Sequence, residues 1–65
     1  MRFNGHFAKA LRREMKAVGM TSGRLAALVG VRRVTVYGWL GGVEPAAANM
    51  ARIITVLPAL KGFAK

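Results

Sequence analysis

Phe7, Leu11 and Met15 recur at intervals of four, and Val18 follows at an interval of three. Side chains at those intervals share one face of an α-helix. Lys9, Arg12, Arg13 and Lys16 fall off this stripe, on the solvent side. The pattern predicts an amphipathic helix over 5–18, with Asn4 as a candidate cap at its start and Gly19 as its stop. "MTSGRLAALVG" then opens a shorter segment, 22–29. Thr21 or Ser22 can cap it by accepting a free backbone N–H, and Gly30 ends it after about two turns. Leu25, Ala26, Leu28 and Val29 are its apolar residues, and Ala26 is small enough to let a second helix approach closely.

A third helix is expected over 32–40. Val36, Trp39 and Leu40 share one of its faces, while Val34, Gly38 and Gly41 share the opposite one with Tyr37 beside them. The bulky face should turn inward and the smoother face outward. "GGVEP" breaks the chain, and Pro45 suits the loop or first turn of the next helix. "AAANMARIITVL" predicts that fourth helix over 46–57, with Met50, Ile53, Ile54 and Leu57 inward and Arg52 toward solvent. Pro58 disfavours its continuation. Residues 58–65 carry Leu60 and Phe63 without a period that assigns an element. Short helices with short connections make an all-α bundle of four helices, or five if the tail is helical, forming one domain over 1–65. Its expected core contains Leu11, Met15, Leu25, Val36, Trp39, Leu40 and Ile53.

Composition narrows the ways such a chain can be stable. A single core in a domain this small rarely supplies more than ~3–5 kcal/mol. There is no cysteine, so no disulfide staples it, and the one histidine, His6, cannot build a metal site alone. Helix packing, helped by a partner subunit, is what remains. No apolar window reaches the ~18 residues of a transmembrane helix, and the N-terminus lacks the apolar core of a signal peptide, so a cytoplasmic protein without membrane contact is expected.

Charge changes the picture more. Eleven Lys and Arg face two acids, Glu14 and Glu44, for a net charge of +9. Solubility needs a magnitude of only ~2–8, normally with both signs mixed. An excess of one sign on so small a body attracts polyanions, above all nucleic acid. Catalysis is not expected: there are no paired carboxylates, no cysteine and no phosphate-binding glycine motif, and Thr21, Ser22, Thr35 and Thr55 have no base partner in evidence. No cofactor, metal or small-molecule ligand is expected either.

The second and third helices meet at Gly30-Val31. Two helices crossing steeply about a short glycine-containing turn make a helix-turn-helix, in which glycine supplies a positive φ and Val31 plugs the crossing. With Leu25-Ala26 before the turn and Val36 and Trp39 after it, "GMTSGRLAALVGVRRVTVYGWLGG" resembles the lambda-repressor and Cro (XRE-type) family of helix-turn-helix regulators. The resemblance spans about Leu11 to Leu57, and "VTVYGWL" looks especially like the short regulators of phages and proteobacteria. It implies a four- or five-helix domain, acting in a bacterial or phage-infected cell, that binds a palindromic DNA operator as a dimer. In many relatives an arginine of the first helix pairs with a glutamate just after the aromatic position of the third. Here Met15 and Leu40 stand at those places, so both partners of a buried ion pair have become apolar together, a change that is often neutral or stabilising.

On this reading the third helix enters the major groove with its N-terminal residues at the base edges. Arg33 can fork onto guanine O6 and N7, Val34 can pack on a thymine methyl, Tyr37 can offer its hydroxyl, and Gly38 allows close approach. Ser22, Arg24, Arg32 and Thr35 are candidate phosphate contacts, together with the amides that open the second helix. Lys16 and Arg12 extend the positive skirt. Val43, Val56, Leu57, Leu60 and Phe63 exceed what four short helices easily bury and mark a homodimer interface; the alternative is a tail that folds back to close its own core. Three functional readings compete. The first is a sequence-specific repressor, acting on its own promoter or as an antitoxin-type partner of another protein. The second is a nonspecific architectural DNA- or RNA-binding protein. The third is a cationic membrane-active peptide or protein adaptor.

Overall fold

The computed structural model describes residues 5–63; Asn4, the expected cap of the first helix, lies outside them. Four α-helices follow in order: α1 (Gly5–Ala17), α2 (Ser22–Val29), α3 (Arg33–Leu40) and α4 (Ala47–Val56). A 3-10 helix, Pro58–Phe63, closes the described chain. The fold is a small all-α bundle, and none of the described helices is long and apolar enough to cross a membrane.

Periodicity places most of the core where it was expected. Leu11, Met15, Leu25, Val36, Trp39 and Ile53 are each 5% exposed or less, and Phe7, Ala26, Val29 and Met50 join them. Leu40 is only half-buried, packed on the rim of this cluster. Val18 is a correction: α1 stops at Ala17 and Val18 is 59% exposed. The cause is the helix end. The Met20 N–H closes onto the Met15 carbonyl and the Gly19 N–H onto Lys16, which swings the chain away before the stripe reaches Val18. Leu28, half exposed, also stays outside the core.

Thr21 caps α2, its Oγ1 accepting the Arg24 N–H at 3.2 Å. Gly30 ends α2 with φ +84°, the left-handed conformation that a side chain strains and glycine does not. There the Gly30 and Val31 N–H groups both donate to the Ala26 carbonyl, at 2.8 and 3.0 Å. Arg32, in extended backbone, starts α3 without a side-chain cap. The helix therefore begins one residue later than expected, and α4 is one residue shorter at each end.

The tail overturns part of the dimer assignment. Leu57 and Leu60 are 3% and 1% exposed, inside the protein's own core. After Pro58 the chain tightens into 3-10 turns, with the Leu60 N–H on the Leu57 carbonyl, and packs on α1 and α4. Phe63 meets Phe7 edge to face, ring centroids 5.4 Å apart, an arrangement that adds to area burial. Val43, Val56 and Phe63 remain half-buried. The alternative of a folded-back tail is the one the structure adopts.

Leu60→Ala is therefore expected to destabilise the domain by ~2–5 kcal/mol, as for other buried leucines. In so small a chain that removes most of the folded population at 37 °C. Thermal unfolding by circular dichroism checks it.

Candidate nucleic-acid interface

The candidate interface is built on α3, so what fixes α3 fixes the interface. Eight residues are too few to hold a helix in water unaided. Val36 and Trp39, 0% and 3% exposed, anchor its inner face. Its last four carbonyls are all satisfied. Tyr37 accepts from Gly41 at 3.0 Å, Gly38 from Val43 at 2.9 Å, and Trp39 from Gly42 at 3.1 Å. The Leu40 carbonyl accepts from the Arg12 guanidinium of α1, also at 3.1 Å. A cation at the negative end of a helix adds a favourable dipole interaction to that hydrogen bond. Arg12 is exposed, as the sequence pattern expects, and its guanidinium also ties α1 to α3. Met15, buried, and Leu40, half-buried, belong to the same apolar cluster.

The outer flank of α3 is open. Val34 and Tyr37 are 66% and 53% exposed, and Arg32 and Arg33 are exposed beside them. Thr35 is half-buried. Gly38 is half-buried as well, and a side chain there would point toward Val43, at ordinary contact distances of 3.8 and 3.9 Å. Gly38 thus lies at the edge of the flank, with Val43 filling the place beside it.

The exposed Arg33 side chain lies against the start of α2. A Cβ on Gly23 would stand 3.0 and 3.1 Å from its guanidinium nitrogens. The guanidinium thus lies across the first turn of α2, in space that the glycine leaves free. Ser22, half-buried, and Arg24, exposed, belong to that turn, whose leading amides have no acceptor within a helix. The Arg33 guanidinium of α3 thus reaches the opening turn of α2. The signal for this in the sequence was a glycine at the second position of α2, where helix propensity disfavours it.

No acid offsets these charges. None of the four α-helices carries an acidic residue in its first turn. The recorded ion pair, Arg13 with Glu14 at 3.8 Å, joins neighbouring residues on an exposed helix surface and contributes little. Among the described residues no three His, Cys, Asp or Glu side chains gather in a way that could hold a metal.

Replacing Arg12 by Met keeps the aliphatic stem and removes the tie to Leu40. We expect a loss of ~1 kcal/mol, read as a fall of ~4–8 °C in the thermal midpoint, with the amide of Gly41 or Gly42 exchanging faster in hydrogen-exchange NMR. An unchanged midpoint and unchanged exchange would show that the contact carries nothing.

No family model, curated protein or solved structure matches this chain, so the function of the surface has to follow from its own chemistry.

Proposed function

We propose that this protein binds double-stranded DNA with the outer flank of α3 in the major groove, as a sequence-specific transcriptional regulator of the repressor type. The observation that carries the reading is the two-sidedness of one short helix. Val36 and Trp39 are buried while Val34 and Tyr37, on the same eight residues, stand open beside two arginines. An exposed valine and tyrosine flanked by uncompensated cations match what a groove offers: a thymine methyl, base edges and phosphates. The α2–α3 pair, turning at a left-handed Gly30 as helix-turn-helix units do, supports the same reading.

The roles divide by position. Val34 and Tyr37 face the base edges. Arg33, seated across Gly23, is aimed at a backbone phosphate together with the first amides of α2, Ser22 and Arg24. We assign Arg33 a phosphate contact there, in place of the base contact that its position at the start of α3 also allows. Arg32 and Thr35 lie along the same edge. The described body is 27 Å in its longest dimension, shorter than the ~34 Å between successive major grooves on one face of DNA. One copy reads one half-site and two copies read a palindrome. Of the residues assigned to a dimer contact, Val43, Val56 and Phe63 keep partial exposure for it.

Nonspecific binding to DNA or RNA is the second reading, and the +9 charge is what favours it. Selection of bound sites from random duplexes separates the two. A palindromic motif bound at least ~10³-fold more tightly than random duplex is expected for the first; equal affinity for both overturns it. Arg33→Ala should weaken binding to all sequences alike, and Gly23→Ala, which only nudges the guanidinium, should weaken it by less while raising stability by ~0.4–1 kcal/mol. Val34→Ala should leave stability within ~0.5 kcal/mol but relax the preference at one base pair by up to about tenfold, at ~0.8 kcal/mol per lost CH₂ contact. Titrations across salt should give a log–log slope of about −0.9 per phosphate neutralised, shallower by about one for Arg33→Ala.

A further inference from the structure

A second feature lies away from the open flank of α3. Lys9, Arg12, Arg13 and Lys16 of α1 line one wall of a surface hollow of about 530 Å³, and Leu40 and Gly41 line the other. Gly5 and Ala8 belong to the same lining. The volume falls within the ~300–1,000 Å³ of ordinary ligand clefts.

Lys9 and Arg12, and Arg13 and Lys16, lie three residues apart, while Lys9 and Arg13, and Arg12 and Lys16, lie four apart, so Lys9 and Lys16 each neighbour both arginines on the helix surface. Like charges at those spacings repel and weaken the helix that carries them. No acidic residue lines the hollow to relieve them. One of the four, Arg12, is accounted for by the Leu40 carbonyl. Lys9 and Lys16 have no recorded partner, and Arg13 has only its neighbour Glu14 at 3.8 Å.

We propose that this hollow is a docking site for an acidic segment of a second protein, one that carries a single large apolar side chain among its carboxylates. Charge complementarity calls for an anion along the α1 wall. The chemistry of the remaining lining selects which anion. Half-buried Leu40 and the exposed Gly5 and Gly41 present carbon and leave space, which a bare phosphate backbone leaves unfilled and an apolar side chain fills. Carboxylates on either side of that side chain reach Lys9, Arg13 and Lys16. The proposal stands independently of what α3 reads.

The probe is a fluorescein-labelled peptide with four glutamates on each side of one phenylalanine, followed by fluorescence anisotropy and by amide chemical shifts. Binding is expected to weaken about tenfold or more when the phenylalanine is replaced by serine, with shifts centred on Ala8, Leu40 and Gly41. The Lys9→Glu/Arg13→Glu double variant should lose about tenfold or more. Arg52→Glu/Lys61→Glu, which removes the same net charge from exposed positions elsewhere, should stay within about threefold. Circular dichroism of both variants confirms folding; should the first fail to fold, Lys9→Gln/Arg13→Gln replaces it, with Arg52→Gln/Lys61→Gln as its control and the same expectations. Equal binding of the serine peptide, or equal losses in the two double variants, overturns the proposal in favour of general attraction. A random DNA duplex that shifts the same amides and that the peptide cannot displace overturns it in favour of nucleic acid.

Discussion

An eight-residue helix does not stand in water on its own hydrogen bonds, and everything assigned to this protein's surface hangs on α3 standing. It does so because it is held from three directions. Val36 and Trp39 are sunk into the core. Its C-terminal carbonyls are closed by Gly41, Gly42, Val43 and Arg12. At the other end Gly30 and Val31 close α2 on the Ala26 carbonyl and set where α3 begins. The outer flank can then be free of any structural duty, which is what allows Val34 and Tyr37 to be exposed on a helix this short.

The core holds the helices by apolar contact alone. No polar or charged residue is buried among the described residues, and no buried side-chain polar atom lacks a hydrogen bond. Apolar packing is tolerant of rearrangement provided volume and pattern are kept. Directional contacts in this protein therefore sit at helix ends: Thr21 on the Arg24 amide, the 3-10 closure of Leu60 on Leu57, and Arg12 on Leu40. The tail has a similar role. By folding Leu57 and Leu60 under α1 and α4 it completes a core that four helices leave open, and so takes both leucines off the surface.

The core residues of α1 to α4 were legible because amphipathic periodicity is local. Leu11, Met15, Leu25, Val36, Trp39 and Ile53 announce themselves within a turn or two, and each is buried. What escaped has in each case a non-local or irregular cause. Arg12 meets Leu40 across 28 residues, and no pattern in either helix carries that information. Arg33 rests on Gly23, where the only trace in the sequence is a glycine in a place a helix disfavours. Leu60 lies in a 3-10 segment too short to show a period. Val18 continues the spacing of α1 past the point where backbone closure at Gly19 has already ended the helix. The open flank of α3 was legible in outline, since the opposite face was so plainly apolar, but Gly38 turned out to lie beside Val43 at the edge of that flank.

The arginines divide by their relation to the helix dipole. Arg12 lies at the negative end of α3 and bonds a carbonyl there, so its charge works with the field and stabilises the fold. Arg32 and Arg33 lie at the positive end of the same helix, and the Arg33 guanidinium rests over the positive end of α2 as well. Their charges oppose both fields, with no acidic residue in either first turn to offset them. A sequence selected only to fold would favour Asp or Glu at those positions. The cost disappears when an anion arrives, because the same field that disfavours arginine in the free protein favours phosphate, and the phosphate then meets arginine and amides together. Folding alone accounts for Arg12; the anionic partner proposed above is what would offset the cost at Arg32 and Arg33.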